Sequence, residues 1–364
     1  MIKISKIDCA VILAGGKGTR LRPLTTNKPK PLVQVALIPM IDFALKQIHD
    51  TGIKKIVIAV KYLGDQIRDY VSETYSSDDL EIIIPDMDPI GTADAVRQVT
   101  DLIQGDFIVS MADIVTNLPL QKMIDFFVTT DSYATISLKN IDFPTKKFGV
   151  ILLDNDQNIE IFLEKPKPEE MLFTTLAFAY RPVAEFHQNL VNTGVYIFKH
   201  RVLEILDSFK DINDFGQDLF PYLLQEKFKI NGYVDDYYWM DCGNVRSYLW
   251  ANWDVLRGFV EGINPPGKNV NGIWRGENVT ISPTAKVIPP VVFGNDVRIE
   301  DNVTIGPYSV IADGVVVKEN SVIDHSVIWR NSEIGSDSFI EKSVICDEVK
   351  IENKGKVINY SVVD

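Results

Sequence analysis

Cysteine and histidine are scarce in this chain of 364 residues, and positive charge is in deficit. The three cysteines, Cys9, Cys242 and Cys346, lie far apart and are odd in number. They fit neither a disulfide framework nor a zinc spacing, so a reducing compartment is expected. The four histidines, His49, His187, His200 and His325, show no ligand spacing. Only 37 Lys and Arg stand against 50 Asp and Glu, a net charge of -13. That balance excludes the broad basic face of a nucleic-acid binder. It leaves small anionic substrates open, because a few placed cations and a metal ion act locally. No apolar run is long enough to span a membrane, and the one in MIKISKIDCAVILAGG is too short for a signal peptide. A cytoplasmic protein with no membrane and no nucleic-acid partner is expected.

What is present reads as a folded, two-domain protein. Apolar residues make up 46% and charged residues 24%, a globular balance, and the length exceeds one ordinary core. Residues 9–14 (CAVILA) predict a buried strand running into a glycine loop. Met40, Ile41, Ala44, Leu45 and Ile48 recur at helical spacing, with Gly52 as the stop. IVIAV (56–60), a helix over 63–74, EIII (81–84), a helix over 93–103 and FIVSM (107–111) continue the alternation. Strands separated by such helices predict an α/β domain, Rossmann-like, with a mostly parallel sheet. Ligands bind at the carboxyl ends of such strands.

The alternation stops near residue 258. INPPGKNVNG then suggests a linker over 261–272, dividing a domain at 1–260 from one at 273–364. Beyond it, Ile281, Val287, Phe293, Ile299, Ile305, Ile311, Val317 and Ile323 are six residues apart. Val279, Ala285, Val291, Val297 and Val303 keep the same step. From Val327 the series resumes through Phe339, Ile345, Ile351, Val357 and Val363, with Glu333 as an exception. A period of six keeps no single face of an α-helix apolar, whereas it suits short strands stacked in coils. A parallel β-helix is expected.

The densest chemical signal is LAGGKGTRLRPLT at 13–25, directly after the first strand. The dinucleotide pattern GxGxxG fails at Leu21, and the Walker pattern fails at Gly18. What remains is a glycine turn beside a guanidinium, Arg20, suited to phosphate oxygens. Ten residues on, prolines on both sides fix the backbone of Lys30. AGGKGTRLRPLT followed by PKPLV resembles the signature of the sugar-phosphate nucleotidyltransferases, the nucleoside-diphospho-sugar pyrophosphorylases.

The resemblance implies an enzyme that joins a nucleoside triphosphate to a sugar 1-phosphate and releases pyrophosphate. Leu13, Ala14, Gly15, Gly16, Gly18 and Thr19 would line the nucleotide, with Arg20 and Lys30 on its triphosphate. PIGTADAV (89–96) looks like the family segment against base and ribose, so Gly91 and Thr92, with Asp86 or Asp88, would bind the nucleoside. Asp113 after FIVSM and Asp241 in YWMDCGN would hold Mg²⁺, Asp113 being catalytic alongside Arg20 and Lys30. FGV (148–150), LEKPKP (163–168) and VNTGVYIF (191–198) are similar to the sugar-phosphate segments, which gives Gly149, Glu164, Lys165 and Asn192 to the sugar side. The short repeat domain resembles that of mannose-1-phosphate guanylyltransferases, and implies a left-handed β-helix and a homo-oligomer. GDP-mannose is therefore the expected product, with glucose-1-phosphate thymidylyl- or uridylyltransfer as the alternative.

Several features pull elsewhere. Ala36-Leu37-Ile38 stands where the family often has glycines and a lysine, and Asn244-Val245 replaces its Thr-Pro. A non-catalytic scaffold of the same layout would be expected to lose charged residues, yet Arg20, Lys30, Asp113, Lys165 and Asp241 are all present. An acyl-transferring β-helix would need a base, and His325 is the only histidine in that region. MLFTTLAFAY (171–180), in a longer stretch than usual from Pro166 to Leu190, is expected as a buried strand, or else as an extra hairpin or lid, or a dimer contact.

Overall fold

A computed structural model describes residues 7–76, 79–141, 150–164 and 190–364. The chain forms two compact units: the described residues of Met1–Gly16, Ala44–Ala112 and Leu118–Trp239, and those of Lys17–Phe43, Asp113–Asn117 and Met240–Asp364. No helix among the described residues is long and apolar enough to cross a membrane.

Among the described residues the main sheet of the first unit has seven strands: β1 (Ile7–Ala14), β2 (Lys55–Val60), β3 (Glu81–Ile83), β4 (Asp106–Met111), β5 (Ala134–Asn140), β6 (Leu190–Phe198) and β7 (Ile230–Val234). Their order is β7-β5-β6-β4-β1-β2-β3. All neighbours pair in parallel except β6, which runs antiparallel to both β4 and β5. The near-continuous apolar run of β1 is explained at once. Ala10, Val11 and Ile12 are fully buried, as a central strand covered on both faces requires.

Helix α1 (Met40–Asp50) buries Ile41, Ala44, Leu45 and Ile48, the predicted stripe, and Gly52 follows it at φ 80. Helix α2 (Gly64–Thr74) is also close to its predicted span. The helix predicted over 93–103 is shorter: α3 covers Thr92–Arg97, then a 3₁₀ turn covers Thr100–Leu102. The β-branched pair Val99-Thr100 breaks it, the Thr100 hydroxyl donating to the Arg97 carbonyl. Among the described residues this unit also holds helices α4 (Leu120–Thr130), α5 (Val202–Ser208) and α6 (Phe220–Gln225).

In the second unit α7 (Val245–Arg257) ends at Gly258, and the β-helix follows. Its strands stack into one seven-stranded and two five-stranded sheets. Lys268–Val270, inside the stretch read as a linker, pairs antiparallel with Ile273–Arg275 at the first coil. Phe293 lies beside Ile311, eighteen residues on, and Ile299 beside Val317. The next coils are one residue shorter: Ile311 pairs with Ile328, Val317 with Ile334 and Ile323 with Ile340.

The predicted series beyond Val327 is corrected by this. The missing residue lies at the corner carrying His325, and again at the corner carrying Lys342, so the inward positions are Ile328, Ile334, Ile340 and Ile345. Phe339 faces outward at 37% exposure, and Glu333 is no exception because Ile334 is the buried residue. Sequence spacing at fixed period six could not register two five-residue steps. The second inward position changes from valine (Val291, Val297, Val303) to serine at Ser321, Ser332 and Ser338. Their hydroxyls donate to the Gly335, Cys346 and Glu352 carbonyls of the next coil, which satisfies polar groups buried in an apolar prism.

Candidate active site

Within the second unit the later part of the phosphate motif, from Gly18 on, meets Lys30 and both predicted metal carboxylates. Gly18 adopts a left-handed φ of 59, and a Cβ there would lie 3.1 Å from Thr25 and 3.2 Å from Lys30. Its carbonyl accepts from Leu21 N and from the Thr25 hydroxyl, closing the turn that carries Thr19 and Arg20. Lys30 opens a 3₁₀ turn (Lys30–Leu32) between Pro29 and Pro31, and its side chain is only 6% exposed. The Lys30 ammonium donates to Asp113 Oδ2 at 2.7 Å and lies 3.4 Å from Asp241 Oδ1. Arg20, largely exposed, approaches Asp241 Oδ2 at 3.9 Å. Burial acts to lower the pKa of Lys30, and the charges of Asp113 and Asp241 more than offset it, so the net shift is upward.

The donor set fits Mg²⁺. No cluster of three or more His, Cys, Asp or Glu able to hold a metal occurs among the described residues. That excludes a closed protein cage there, whereas Mg²⁺ binds through one or two carboxylates and substrate phosphates. Gly243 supports the fit. A Cβ there would lie 2.9 Å from Asp241 Oδ2 and 3.3 Å from Arg20, so only glycine leaves the carboxylate face clear. The departure at Asn244-Val245 is resolved by a capping box: Asn244 accepts from Ser247 N, and Ser247 Oγ accepts from Asn244 N.

Cys242 is buried beside this cluster, and its thiol is pushed up by burial. Burial likewise raises Cys9 to about 11 and Cys346 to about 12. All three stay protonated and inaccessible, so a thiol reagent is expected to label none in the folded protein and three after denaturation. Labelling of the native state at any one of them would contradict that burial.

The first unit assembles a second group of predicted residues. Leu13 and Ala14 end β1, and Leu13 O accepts from Ala112 N. An added Cβ at Gly15 would touch Lys61 at 3.3 Å, while one at Gly16 would meet nothing within 4 Å. Gly91 packs on the backbone of Asn213, whose carbonyl accepts from Ala93 N and Asp94 N. The Thr92 hydroxyl donates to Asp214 Oδ2 at 3.1 Å and accepts from Phe215 N at 2.8 Å. Glu164 lies against Gly216, where a Cβ would come within 3.2 Å of its side chain.

Asn192 sits at an irregularity of β6 beside Gly194, which has φ 84. It accepts from Gly194 N and donates to the Tyr196 hydroxyl at 3.0 Å. Burial pushes the Tyr196 phenol up, and Glu164 and Asp214 add to the shift. Gly91, Thr92, Glu164 and Asn192 are thus gathered around Asp214–Gly216 and Tyr196. Asp86 is not among them: Arg68 holds it at 2.6 Å, as Lys61 holds Asp88. Gly149 and Lys165, like the stretch 171–180, lie outside the described residues.

Sequence reasoning missed Asp214, Tyr196 and Gly243. Asp214 was legible in part, because Asp-x-x-Gln at 214–217 is a helix-start pattern, and Asp214 Oδ1 does accept from Gly216 N and Gln217 N. Nothing in the sequence tied it to Thr92. His325 is no exposed base: its ring lies edge-on to Trp253 at 5.1 Å and against Tyr308 at 5.0 Å, with Nδ1 2.8 Å from Asp324.

Comparison with known proteins matches the sequence to a family. The profile described as nucleotidyl transferase matches residues 9–258, and that of the EIF2B subunit epsilon LbH domain, a left-handed β-helix, matches residues 270–364. A UTP–glucose-1-phosphate uridylyltransferase of Synechocystis is 28% identical, over 96% of this chain and 90% of its own. A probable mannose-1-phosphate guanylyltransferase 2 of Oryza sativa is 29% identical, over 93% and 91%. The mannose-1-phosphate guanylyltransferase catalytic subunit beta of Drosophila melanogaster is 29% identical, over 97% and 94%. The chain therefore belongs to the nucleotidyl transferase family of sugar-phosphate nucleotidyltransferases, with a left-handed β-helix as its C-terminal part.

Proposed function

We propose that the enzyme forms GDP-mannose and pyrophosphate from GTP and mannose 1-phosphate, with Mg²⁺ bound at Asp113 and Asp241. The observation that carries the reaction is the meeting of Lys30 with both carboxylates, from segments far apart in the chain. The phosphate oxygen of the sugar attacks the α-phosphorus, the new P–O bond forms, and the bond to the β-phosphate breaks with pyrophosphate as the leaving group. With a second phosphate pKa of about 6, that oxygen is already ionised at neutral pH, so no side chain need act as base. Catalysis then rests on bringing two anions together and offsetting their repulsion. Lys30 and Arg20 hold the triphosphate, Glu164 and Asn192 hold sugar hydroxyls, and Gly149 and Lys165 take the sugar phosphate. Gly91 and Thr92 shape the nucleoside side. Bound Mg²⁺ would neutralise phosphate charge.

The guanylyltransferase reading is supported by relatives matched along nearly their full lengths, β-helix included. The Synechocystis relative favours a second reading, UDP-glucose formation. Pyrophosphate release should be measured with Mg²⁺ for GTP, dTTP, UTP, ATP and CTP against mannose, glucose and N-acetylglucosamine 1-phosphates. GTP with mannose 1-phosphate is expected to give the highest kcat/KM. UTP with glucose 1-phosphate in first place would transfer the assignment to the second reading. A blank matrix from folded protein, unchanged by EDTA, would leave a scaffold of the same fold. The β-helix is assigned to self-association, and a monomer mass by light scattering would refute that.

A further inference from the structure

We infer that the β-helix positions the active-site lysine, with Asp347 and Trp329 as positioning residues that act through Lys28. The inference rests on the proposed role of Lys30 at the triphosphate. Lys28 is separated from Lys30 by Pro29 alone, and Pro31 follows. Two fixed φ angles make this segment stiff, so a displacement at Lys28 is passed on to Lys30 instead of being absorbed.

Lys28 Nζ donates to Asp347 Oδ2 at 2.6 Å and stands over the Trp329 ring, 4.3 Å from its centroid. Asp347 is itself held by its coil, since its other oxygen accepts from Arg330 N at 3.1 Å. Trp329, nearly buried, donates from Nε1 to the Tyr248 hydroxyl at 3.0 Å. That hydroxyl donates to Gln34 O at 2.8 Å. One indole therefore secures the lysine segment on both sides of Lys30: directly at Lys28, and through Tyr248 at Gln34. Asn252 adds a third tie, accepting from Ala36 N at 2.7 Å. Ala36 and Leu37 have φ of 50 and 67, unusual for residues with a Cβ, and these ties hold the turn in that conformation.

Lys28 and Asp347 are 319 residues apart and retain 27% and 35% side-chain exposure, so solvent screens their attraction and its contribution to global stability is small. Its effect is on position, and an error of about 1 Å at a reacting group is enough to cost about 100-fold in rate.

The test is a double-mutant cycle on the full chain, with Lys30→Met measured beside it. Lys28→Met and Asp347→Asn are each expected to lower kcat about tenfold, with KM for the sugar phosphate within about twofold of wild type and little change in Tm. The double variant should be no slower than the worse single one, and Asp347→Glu should recover most of the loss. Wild-type kcat in the single variants, multiplicative losses in the double, or losses that follow Tm would each overturn the positioning. If Lys30→Met kept wild-type turnover, the role of Lys30 would fall and the proposal with it. If Lys30→Met is inactive while Lys28→Met and Asp347→Asn are normal, the positioning alone fails.

Discussion

Lys30→Met is expected to lower kcat by about 100- to 1000-fold, the usual cost of removing one fixed donor from a developing anion. The fold should persist, because the substitution keeps the apolar stem of a side chain held between two prolines. The variant should also respond differently to metal. In the wild type the ammonium lies 2.7 Å from Asp113 and 3.4 Å from Asp241, so the two carboxylates already have a counter-ion. Without it they repel one another, the exposed Arg20 guanidinium at 3.9 Å from Asp241 offsets little of that, and Mg²⁺ relieves the rest. Mg²⁺ without nucleotide should therefore raise Tm more in Lys30→Met than in wild type, read by scanning calorimetry. Full turnover in the variant, or a Tm indifferent to Mg²⁺ in both proteins, would remove Lys30, Asp113 and Asp241 from their assigned roles.

Gly91→Ala is expected to give the largest loss of stability for one methyl group. A Cβ at Gly91 would lie 2.2 Å from Asn213 O and 2.8 Å from its carbonyl carbon, both backbone atoms with no rotamer to escape into. The φ of Gly91 is −168, extended and open to any residue, so the cost is purely steric. The displaced carbonyl is the one that accepts from Ala93 N and Asp94 N, and the next residue is Asp214, the partner of Thr92. Overpacking of this kind costs about 3 kcal/mol, a fall in Tm of roughly 6–12 °C. Gly16→Ala is the control. Its Cβ would meet nothing within 4 Å, so Tm should not move, and any fall in activity reports the approach of substrate to the backbone. Equal Tm values for Gly91→Ala and wild type would mean the Gly91–Asn213 contact is not as close as described.

What could be read in advance follows physical range. The strand running into a glycine turn, the α1 stripe and the six-residue repeat depend on neighbours within one or two turns of chain, and periodicity reports those directly. Lys30 was singled out because its two prolines are sequence neighbours. Asp113 and Asp241 were paired only by family resemblance, since their meeting on Lys30 depends on packing of distant segments. The Thr92–Asp214 bond and the Lys28–Asp347 pair join residues 122 and 319 apart, and no local pattern encodes such a closure. The slip after Ile323 was missed for a different reason. A corner of a solenoid can drop one residue and keep its strands in register, and an apolar residue at the old spacing, Val327 or Phe339, conceals the change.

That shortened corner has a consequence for the whole stack. Helix α7 runs along one edge of the prism: Arg257 lies over Tyr308, Trp253 bonds His325 O, and Arg246 lies over Tyr360. The two corners that lack a residue belong to this same edge. A solenoid of identical turns offers no preferred seat, and a turn can be added or deleted without any neighbour noticing. Here the turns are not interchangeable. Duplicating one coil would move everything above it by about 4.8 Å, and the turn bearing Asp347 would no longer stand level with Lys28. On the positioning inferred for Lys28 and Asp347, the β-helix would have the property of a ruler cut to length, and length variation is expected only beyond the coil that holds Asp347.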